Sequence, residues 1–169
     1  MHFSGTITQR VDGKGRVSIP ADFRAVLAEG DPAYDPDTKR LRMRVVYGDP
    51  SRKCLEIYTI KAFDKILSRV AQLPEGSDER EILELFLVSG SEVVEVDADG
   101  RTILAQRLRD HMGLPRDGGE AVCAGALDLF RMWTPEEFEA ERQRKLAAVK
   151  ARMAGGGNIL KLLPPNPEG

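Results

Sequence analysis

A short glycine-bearing segment near the start of the chain concentrates residue types suited to binding a nucleic acid. The segment Asp12-Gly13-Lys14-Gly15-Arg16 sets an ammonium and a guanidinium group beside two glycines, where a phosphate can approach the backbone closely. Arginine at such a site can also donate two hydrogen bonds to guanine in the major groove. The alternative is a structural turn in which Arg16 pairs with Asp12, since charged turns are common on protein surfaces. Spacing alone leaves both interpretations open.

The other reactive side chains match no catalytic or metal-binding pattern. His2, His111, Cys54 and Cys123 lack the CxxC or HxxxH spacing of a zinc site. The glycine segment lacks the GxxxxGK[ST] spacing of a P-loop, and no nucleophile stands in an arrangement typical of covalent catalysis. We therefore expect no enzyme activity, no cofactor, no metal ion and no small-molecule substrate. Both cysteines are predicted to be core residues, and His111 to lie partly buried at a helix end.

Charge is distributed unevenly along the 169 residues. The totals of 25 basic and 27 acidic side chains give a net charge of −2, which by itself does not indicate a nucleic-acid binder. Residues 39–53 nevertheless hold six basic residues against one acid, whereas residues 69–95 hold seven acids against two bases. Any contact with a nucleic acid must therefore depend on local charge.

The composition is that of a globular protein. Hydrophobic residues make up 41% of the chain and charged residues 31%, enough apolar side chains to build a genuine core. No apolar run approaches the roughly 20 residues that a membrane span requires. The first residues also lack the basic-then-apolar pattern of a secretory signal. We therefore expect a cytoplasmic protein that does not associate with a membrane.

Two parts of the chain resemble each other closely enough to indicate an internal duplication. Residues 11–24, VDGKGRVSIPADFR, recur as residues 96–109, VDADGRTILAQRLR, and residues 55–63 resemble residues 130–138. Each half is predicted to run strand, glycine turn, strand, short helix, two strands and a longer helix, an α+β pattern. Because two copies are too few for a solenoid, we expect a pseudo-symmetric pair in which each half covers the apolar face of the other.

The glycine turns should position the basic residues. Two β-rich stretches, Thr6–Val11 and Arg16–Ile19, are predicted to form a hairpin around the first turn. Gly15 and Gly100 occupy equivalent places in the repeat, where we expect a positive φ. A short helix after Pro20 is predicted to end at Gly30.

The remaining elements follow from apolar periodicity. Strands are predicted at residues 41–47, 54–58, 92–96, 121–124 and 129–133, and helices at residues 60–73 and 78–89. The helix at 78–89 should bury Ile82, Leu83, Phe86 and Leu87. A last helix begins with a capping box at Thr134 and should present an apolar stripe formed by Phe138, Leu146, Val149 and Met153. The predicted organisation is a first repeat at 1–74, a connecting helix at 75–90, a second repeat at 91–154 and a flexible tail at 155–169, with an inserted loop at 31–39.

The duplicated motif resembles the signature of the MraZ family, bacterial transcription factors built from two AbrB-like repeats. The resemblance rests on residues 12–20, DGKGRVSIP, with Phe23-Arg24 after them. Residues 97–101 and 108–114 of the second copy agree with it, as does the strand at 129–133 that ends in tryptophan. It extends over about residues 1 to 150, and two linked motifs in the right order are more specific than either alone.

This resemblance implies a fold, an assembly and a DNA-binding site. The two AbrB-like repeats of one chain would form a swapped-hairpin β-barrel of the double-psi type with peripheral helices. The family assembles into closed rings and binds tandem G-rich boxes in double-stranded promoter DNA, usually repressing its own division and cell-wall operon. A nucleoid-associated location in the cytoplasm follows from this activity. The implied DNA-binding residues are Arg16 first, Lys14 second and mainly for phosphate, Gly13 and Gly15 in the turn, and Arg10 and Arg24 by proximity.

The chain departs from the family pattern at several positions. Asp99 stands where the first turn has Lys14, so the second turn is less suited to DNA. The helix at 78–89 is rich in glutamate where the family often has arginines, Arg131 stands where glutamate is common, and the loop at 31–39 is longer than usual. These acidic features support a second hypothesis, an oligomeric scaffold whose acidic helix binds a protein partner. The bases that follow Glu141 are interpreted as a solvated helix face, with a second nucleic-acid or membrane contact as the alternative.

Overall fold

The computed structural model describes residues 1–167. In the first half, the strands are β1 (Thr6–Asp12), β2 (Arg16–Ser18), β3 (Leu41–Val46) and β4 (Cys54–Tyr58), and the helices are α1 (Ala21–Glu29) and α2 (Ile60–Ala71). Helix α3 (Asp78–Leu83) and a π-helical turn (Glu84–Val88) connect the halves. The second half contains β5 (Ser91–Val96), β6 (Arg101–Ile103), α4 (Gln106–Met112), β7 (Gly118–Gly125), β8 (Leu129–Trp133) and α5 (Pro135–Arg152), followed by a 3-10 turn (Ile159–Leu162). The predicted α+β class is confirmed.

The strands form one curled antiparallel sheet of six strands and a separate pair. The order in the larger sheet is β1-β7-β8-β4-β3-β5, and β2 pairs with β6. Strands β1, β3 and β4 of the first half correspond to β5, β7 and β8 of the second. When each strand is replaced by its counterpart, the same order is obtained in reverse. This is the pseudo-symmetry that the duplication predicted.

The two halves share their sheet and their core. Strand β1 pairs along its whole length with β7, β3 pairs with β5, and β4 pairs with β8, so three ladders of the larger sheet join opposite halves. Phe3 and Phe23 of the first half pack against Phe130 of the second, with ring centroids 5.2 and 4.8 Å from that of Phe130. One continuous apolar core therefore stabilises both halves together. The boundaries between the repeats stay a prediction.

The predicted hairpin around the first glycine turn is wrong in its pairing. No ladder joins β1 to β2, because β1 pairs with β7 and β2 with β6. The turn is closed instead by the Gly15 N–H, which donates to the Asp12 carbonyl at 3.0 Å. After this turn the chain leaves the larger sheet, and β2 meets its own counterpart from the other half.

The buried cysteines follow the prediction. Cys54 and Cys123 are both buried thiols on sheet strands. Burial raises the pKa of each thiol to about 12, so both stay protonated at neutral pH. His111 lies partly buried in the last turn of α4, as predicted.

Helix α2 is amphipathic as predicted but ends earlier. Phe63 and Val70 are buried on one face, and the Thr59 hydroxyl accepts a hydrogen bond from the Ala62 N–H at 3.0 Å at the N-terminus. The helix ends at Ala71, two residues before the predicted end. Gly30 follows α1 as predicted, with a φ of −92°. A Cβ at Gly30 would collide with the Thr59 side chain, so close approach explains this glycine.

Two predicted apolar faces are not buried in this chain. The helix predicted at 78–89 divides into α3 and the π-helical turn, because the backbone there changes its hydrogen-bonding pattern. Ile82 is 54% exposed and Leu85 59% exposed; Leu83, Phe86 and Leu87 are half-buried. The stripe on α5 is also uncovered, since none of its residues is buried and Leu146 is exposed. Both helices lie at the periphery of the part of the chain that the structure describes.

The inserted loop at 31–39 is anchored by a buried carboxylate. Asp31 accepts hydrogen bonds from the Ala33 N–H at 3.0 Å and the Arg42 N–H at 2.8 Å, and it pairs with the Arg42 guanidinium at 2.7 Å. Burial would raise the pKa of Asp31, but these hydrogen bonds outweigh it and hold the pKa below its usual value. The loop is therefore fixed to the start of β3.

The chain ends in an exposed segment. Residues 155–167 lead from α5 through the 3-10 turn with their side chains on the surface. The predicted flexible tail at 155–169 includes residues 168 and 169, which lie outside the described residues, and its flexibility stays a prediction. Among residues 1–167, every helix is too short or too polar to cross a membrane.

Candidate nucleic-acid interface

The first glycine turn is held by the side chain of its first residue. Asp12 Oδ1 accepts hydrogen bonds from the Lys14 N–H at 3.0 Å and the Arg16 N–H at 2.9 Å. Gly15 has a φ of +87°, a conformation that side chains other than glycine rarely adopt. The positive φ predicted for Gly15 is confirmed. Lys14 is exposed at the tip of this turn.

Arg16 forms the ion pair that the structural interpretation expected, and it is also exposed. Its Nε lies 2.6 Å from Asp12 Oδ2, and 58% of its side chain is accessible. Among residues 1–167, neither terminal nitrogen of Arg16 donates a hydrogen bond to the protein. The pairing therefore orients the guanidinium and leaves its outer donors available to a ligand.

The ion pair changes the acidity of Asp12. The side-chain hydrogen bond from Arg16, with the backbone hydrogen bonds of the turn, lowers the pKa of Asp12 from 3.8 to about 2. A pKa lowered by folding means that this contribution to stability is present at neutral pH. It is lost as the pH falls from about 3.8 through about 2.

We expect Arg16→Ala to raise the pKa of Asp12 toward its usual value, because the largest cause of the shift is removed. Carbon-detected NMR of the aspartate carboxyls across an acid titration measures this directly. Asp31 serves as the control in the same sample, since its hydrogen-bond partner is Arg42 and its titration should not change. An unchanged Asp12 titration in the variant would contradict the pairing.

The second turn repeats the backbone geometry of the first. Asp97 Oδ1 accepts hydrogen bonds from the Asp99 N–H at 2.9 Å and the Arg101 N–H at 3.0 Å, and Gly100 has a φ of +80°. The positive φ predicted for Gly100 is therefore also confirmed. Arg101 is exposed. Among residues 1–167, it bonds to Asp97 through its backbone and not through its guanidinium.

The structure brings the two turns together on one surface. The Leu104 N–H donates to the Gly15 carbonyl and the Ile19 N–H to the Gly100 carbonyl, both at 2.8 Å. In the short β2–β6 ladder, Ser18 lies opposite Arg101. Arg10, Arg16 and Arg101 consequently line one open cleft of about 330 Å³, which also contains Asp12, Val17 and Ser18. We call this cleft, lined by Arg10, Arg16 and Arg101, the arginine cleft.

Not every predicted site residue lies at this cleft. Arg10 and Arg16 line it, and Lys14, Gly13 and Gly15 form the adjoining turn. Arg24 is half-buried in α1, and its guanidinium lies against Gly100 of the opposite turn. Direct contact between Arg24 and DNA stays a prediction.

Sequence reasoning did not include Arg101 among the site residues. Asp99 stands where the first turn has Lys14, which made the second turn less suited to DNA, although Arg101 is the repeat equivalent of Arg16. That equivalence is the signal that could have identified it. Only the β2–β6 pairing shows that both residues line one cleft.

Most basic side chains of the segment at 39–53 are paired or packed against other parts of the described chain. Arg42 pairs with Asp31, Arg40 with Glu95, and Lys53 approaches Glu137. The remaining arginines of the segment pack on aromatic rings: Arg44 lies over Phe63 at 5.1 Å, and Arg52 over Trp133 at 5.8 Å. These partners disperse the local charge.

The basic half of α5 is partly neutralised within the helix. Arg142 pairs with Glu139, and Arg144 and Lys145 pair with Glu141. These contacts are those of a solvated helix face, the interpretation that the sequence favoured.

Comparison with known proteins assigns the chain to a family. The family model described as "MraZ protein, putative antitoxin-like" matches residues 2–85 and 87–155, one segment for each half. The chain belongs to the MraZ family. The resemblance inferred from the glycine-turn motif is therefore confirmed.

Relatives in the MraZ family match over most of their length. A protein of Ruegeria sp. (strain TM1040) is 40% identical over 81% of this chain and 80% of its own length. A protein of Ruegeria pomeroyi is 39% identical over 88% of this chain and 84% of its own. A protein of Cereibacter sphaeroides is 36% identical over 95% of both chains. Each relative is named "Transcriptional regulator MraZ".

Proposed function

We propose that this MraZ-family chain regulates transcription by binding double-stranded DNA through its glycine turns. The observation that supports this most directly is the arginine cleft, in which guanidinium groups from both halves share one exposed surface beside Lys14. Clustered cations of this kind attract a phosphate backbone, and arginine can in addition recognise guanine. The names of the relatives point to the same role.

Each residue of the site has a proposed function. Arg16 is the main candidate for contact with a base, because the Asp12 carboxylate orients it while its outer donors face solvent. Lys14 contacts phosphate as a point charge, and Gly13 and Gly15 let the duplex approach the turn. Arg10 and Arg101 add cations to the same surface. These assignments extend the DNA-binding set to the second turn.

The finer description of the fold is part of the proposal. The pairing of β1 with β7 and of β5 with β3 supports an exchange of hairpins between the two repeats. We infer from it a swapped-hairpin β-barrel of the double-psi type, with the helices at its periphery. In such a barrel both DNA-facing turns come from equivalent places in the repeat.

We propose that the chain assembles into a closed ring. The π-helical turn and α3 expose Ile82 and Leu85 on an acidic segment that includes Asp78, Glu79 and Glu81. Exposed apolar side chains at the rim of a protein often mark an interface. The partner in this case is a second copy of the chain.

The complementary surface lies on the other half of the molecule. A groove of about 450 Å³ runs between α5 and strands β7 and β8, with Trp133, Phe138 and Leu146 along it and Arg142 and Lys145 at its edge. Its charge is opposite to that of α3. Two different, complementary surfaces give head-to-tail contacts, which generate a ring when the rotation closes.

A ring suits the recognition of tandem promoter boxes. One pair of turns makes few contacts with a duplex, but neighbouring subunits on one ring bind successive boxes at high effective concentration. Binding to boxes upstream of its own gene would allow the protein to repress its own operon. Native mass spectrometry of the full chain tests the assembly, because a monomer of 18.7 kDa would contradict a ring.

A salt titration of binding to the DNA upstream of the protein's own gene tests the proposed function. We expect tight binding at low salt that weakens steeply as the salt concentration rises, since each neutralised phosphate contributes a slope of about −0.9 to the logarithmic plot. A scrambled duplex of the same length and composition is the control. It should bind more weakly at every salt concentration.

Failure to bind upstream DNA even at low salt would contradict the proposal. That result would favour the oligomeric scaffold, for which the acidic segment at α3 and its exposed Ile82 and Leu85 are the supporting features. Equal affinity for the upstream and scrambled duplexes would contradict sequence recognition by Arg16.

A further inference from the structure

Two arginines at equivalent positions of the repeat reach the glycine turn of the opposite half. Arg109 in α4 is only 7% exposed. Its Nε donates to the Leu104 carbonyl at 3.0 Å, and its Nη1 donates to the Gly13 carbonyl at 3.2 Å, 96 residues away in the chain. Arg24, its counterpart in α1, lies against Gly100. Each half thus contributes a side chain that supports the turn of the other half.

The glycines of the two turns lie in close contact with these guanidinium groups. A Cβ at Gly15 would lie 2.9 Å from Arg109 Nε, and a Cβ at Gly100 would lie 2.8 Å from Arg24 Nε. No side chain fits between a turn and its arginine. The two turns therefore need glycine because of this close contact as well as because of their positive φ.

The two arginines do not hold their turns equally. Arg109 makes two hydrogen bonds to backbone carbonyls, one of them at Gly13 beside Lys14. The Nε of Arg24 is buried and has no hydrogen-bond partner among residues 1–167. The turn that carries Lys14 and Arg16 is accordingly the more firmly held of the two.

We propose that Arg109 is a positioning residue for DNA recognition, which fixes the Gly13 carbonyl and thereby the directions of Lys14 and Arg16. This inference rests on the proposed function. Because Arg109 is buried, it acts through the turn rather than on the duplex, and a turn ordered in advance loses less entropy on binding. Arg24 lies against Gly100 without a described hydrogen bond to the second turn, so the proposal concerns Arg109 alone.

The test compares Arg109→Lys with the wild-type full chain by fluorescence anisotropy on the upstream duplex. Lysine keeps the charge but cannot reach two carbonyls with a planar fork. We expect affinity to fall about tenfold, the equivalent of roughly 1.4 kcal/mol. The salt slope should stay at the wild-type value, since no phosphate contact is lost. Lys14→Ala, which removes a proposed phosphate contact, should instead lower the slope by about 1.

Val26→Ala controls for a general loss of stability. Val26 is a buried core residue of α1, and among residues 1–167 no hydrogen bond joins it to either turn. At a temperature where circular dichroism shows all variants folded, Val26→Ala should bind DNA as the wild type does. Arg109→Met, which removes the charge but keeps much of the volume, replaces Arg109→Lys if the latter fails to fold.

A measurement without DNA separates this inference from the proposed function. In Arg109→Lys, the amide NMR signals of Lys14 and Arg16 should shift and their hydrogen exchange should accelerate. If the wild type binds no DNA, the proposed function fails. Independently of DNA binding, unchanged signals of Lys14 and Arg16 in Arg109→Lys would contradict the role of Arg109 in holding the turn. Wild-type affinity in folded Arg109→Lys overturns the positioning role. A reduced salt slope overturns it too, because Arg109 would then contact phosphate directly.

Discussion

Replacing Arg16 with alanine is expected to abolish binding to the upstream DNA while leaving the assembly intact. A bidentate contact between arginine and guanine contributes roughly 1–3 kcal/mol of discrimination. Several subunits lose it together on tandem boxes, so the combined affinity should fall roughly 100-fold or more. The side chain is exposed on the cleft, and no residue lining that cleft belongs to α3 or α5, so elution from a size-exclusion column should match the wild type.

Electrophoretic mobility shift with the upstream duplex measures this effect. Arg69→Ala is the matched control, because Arg69 is an exposed arginine of α2, outside the cleft. It should retain wild-type binding at the same salt concentration. Unaltered affinity in Arg16→Ala would remove Arg16 from the site, and an altered elution volume would show that the turn contributes to assembly instead.

Replacing Gly15 with alanine is expected to produce a large loss of stability. The alanine would have to adopt a φ of +87°, and its Cβ would collide with the Leu104 carbonyl oxygen and lie 2.9 Å from Arg109 Nε. Strain of the backbone together with displacement of a buried contact costs roughly 3 kcal/mol or more. Urea denaturation followed by circular dichroism gives the free energy of unfolding.

Gly76→Ala separates the two causes. Gly76 also has a positive φ, +76°, but a Cβ there would meet nothing within 4 Å. This variant should lose only about 1 kcal/mol, the cost of the left-handed conformation for a residue with a side chain. Equal losses in the two variants would mean that the contact between the turn and the opposite half contributes nothing to stability.

The sequence was sufficient for the class of fold and for the family. The duplicated motif at 11–24 and 96–109 predicted two equivalent halves, and the positive φ of Gly15 and Gly100 followed from their shared place in the motif. Local patterns of this kind are readable because turn geometry and helix caps depend on a few neighbouring residues. The cap at Thr59 and the amphipathic face of α2 have the same local origin.

Other predictions failed or stayed incomplete because they depended on residues distant in the chain. The exposure of Ile82 and of the stripe on α5 could not be read from periodicity, which shows that a helix has an apolar face but not what covers it. The sequence shows an excess of basic residues at 39–53, but only the tertiary structure pairs Arg42 with Asp31 and Arg40 with Glu95.

The amino-acid sequence by itself determined the two turns, their glycines and the cations they carry, because these depend on contacts within a few residues. Only the tertiary structure decided that Arg101 joins Arg10 and Arg16 in one cleft, and that Arg109 lies beneath the first turn. Both facts arise from the pairing of β2 with β6 across the halves. That pairing joins two segments that lie about 85 residues apart in the chain, as Arg16 and Arg101 do. The residues of one motif alone do not show that the other motif is its pairing partner.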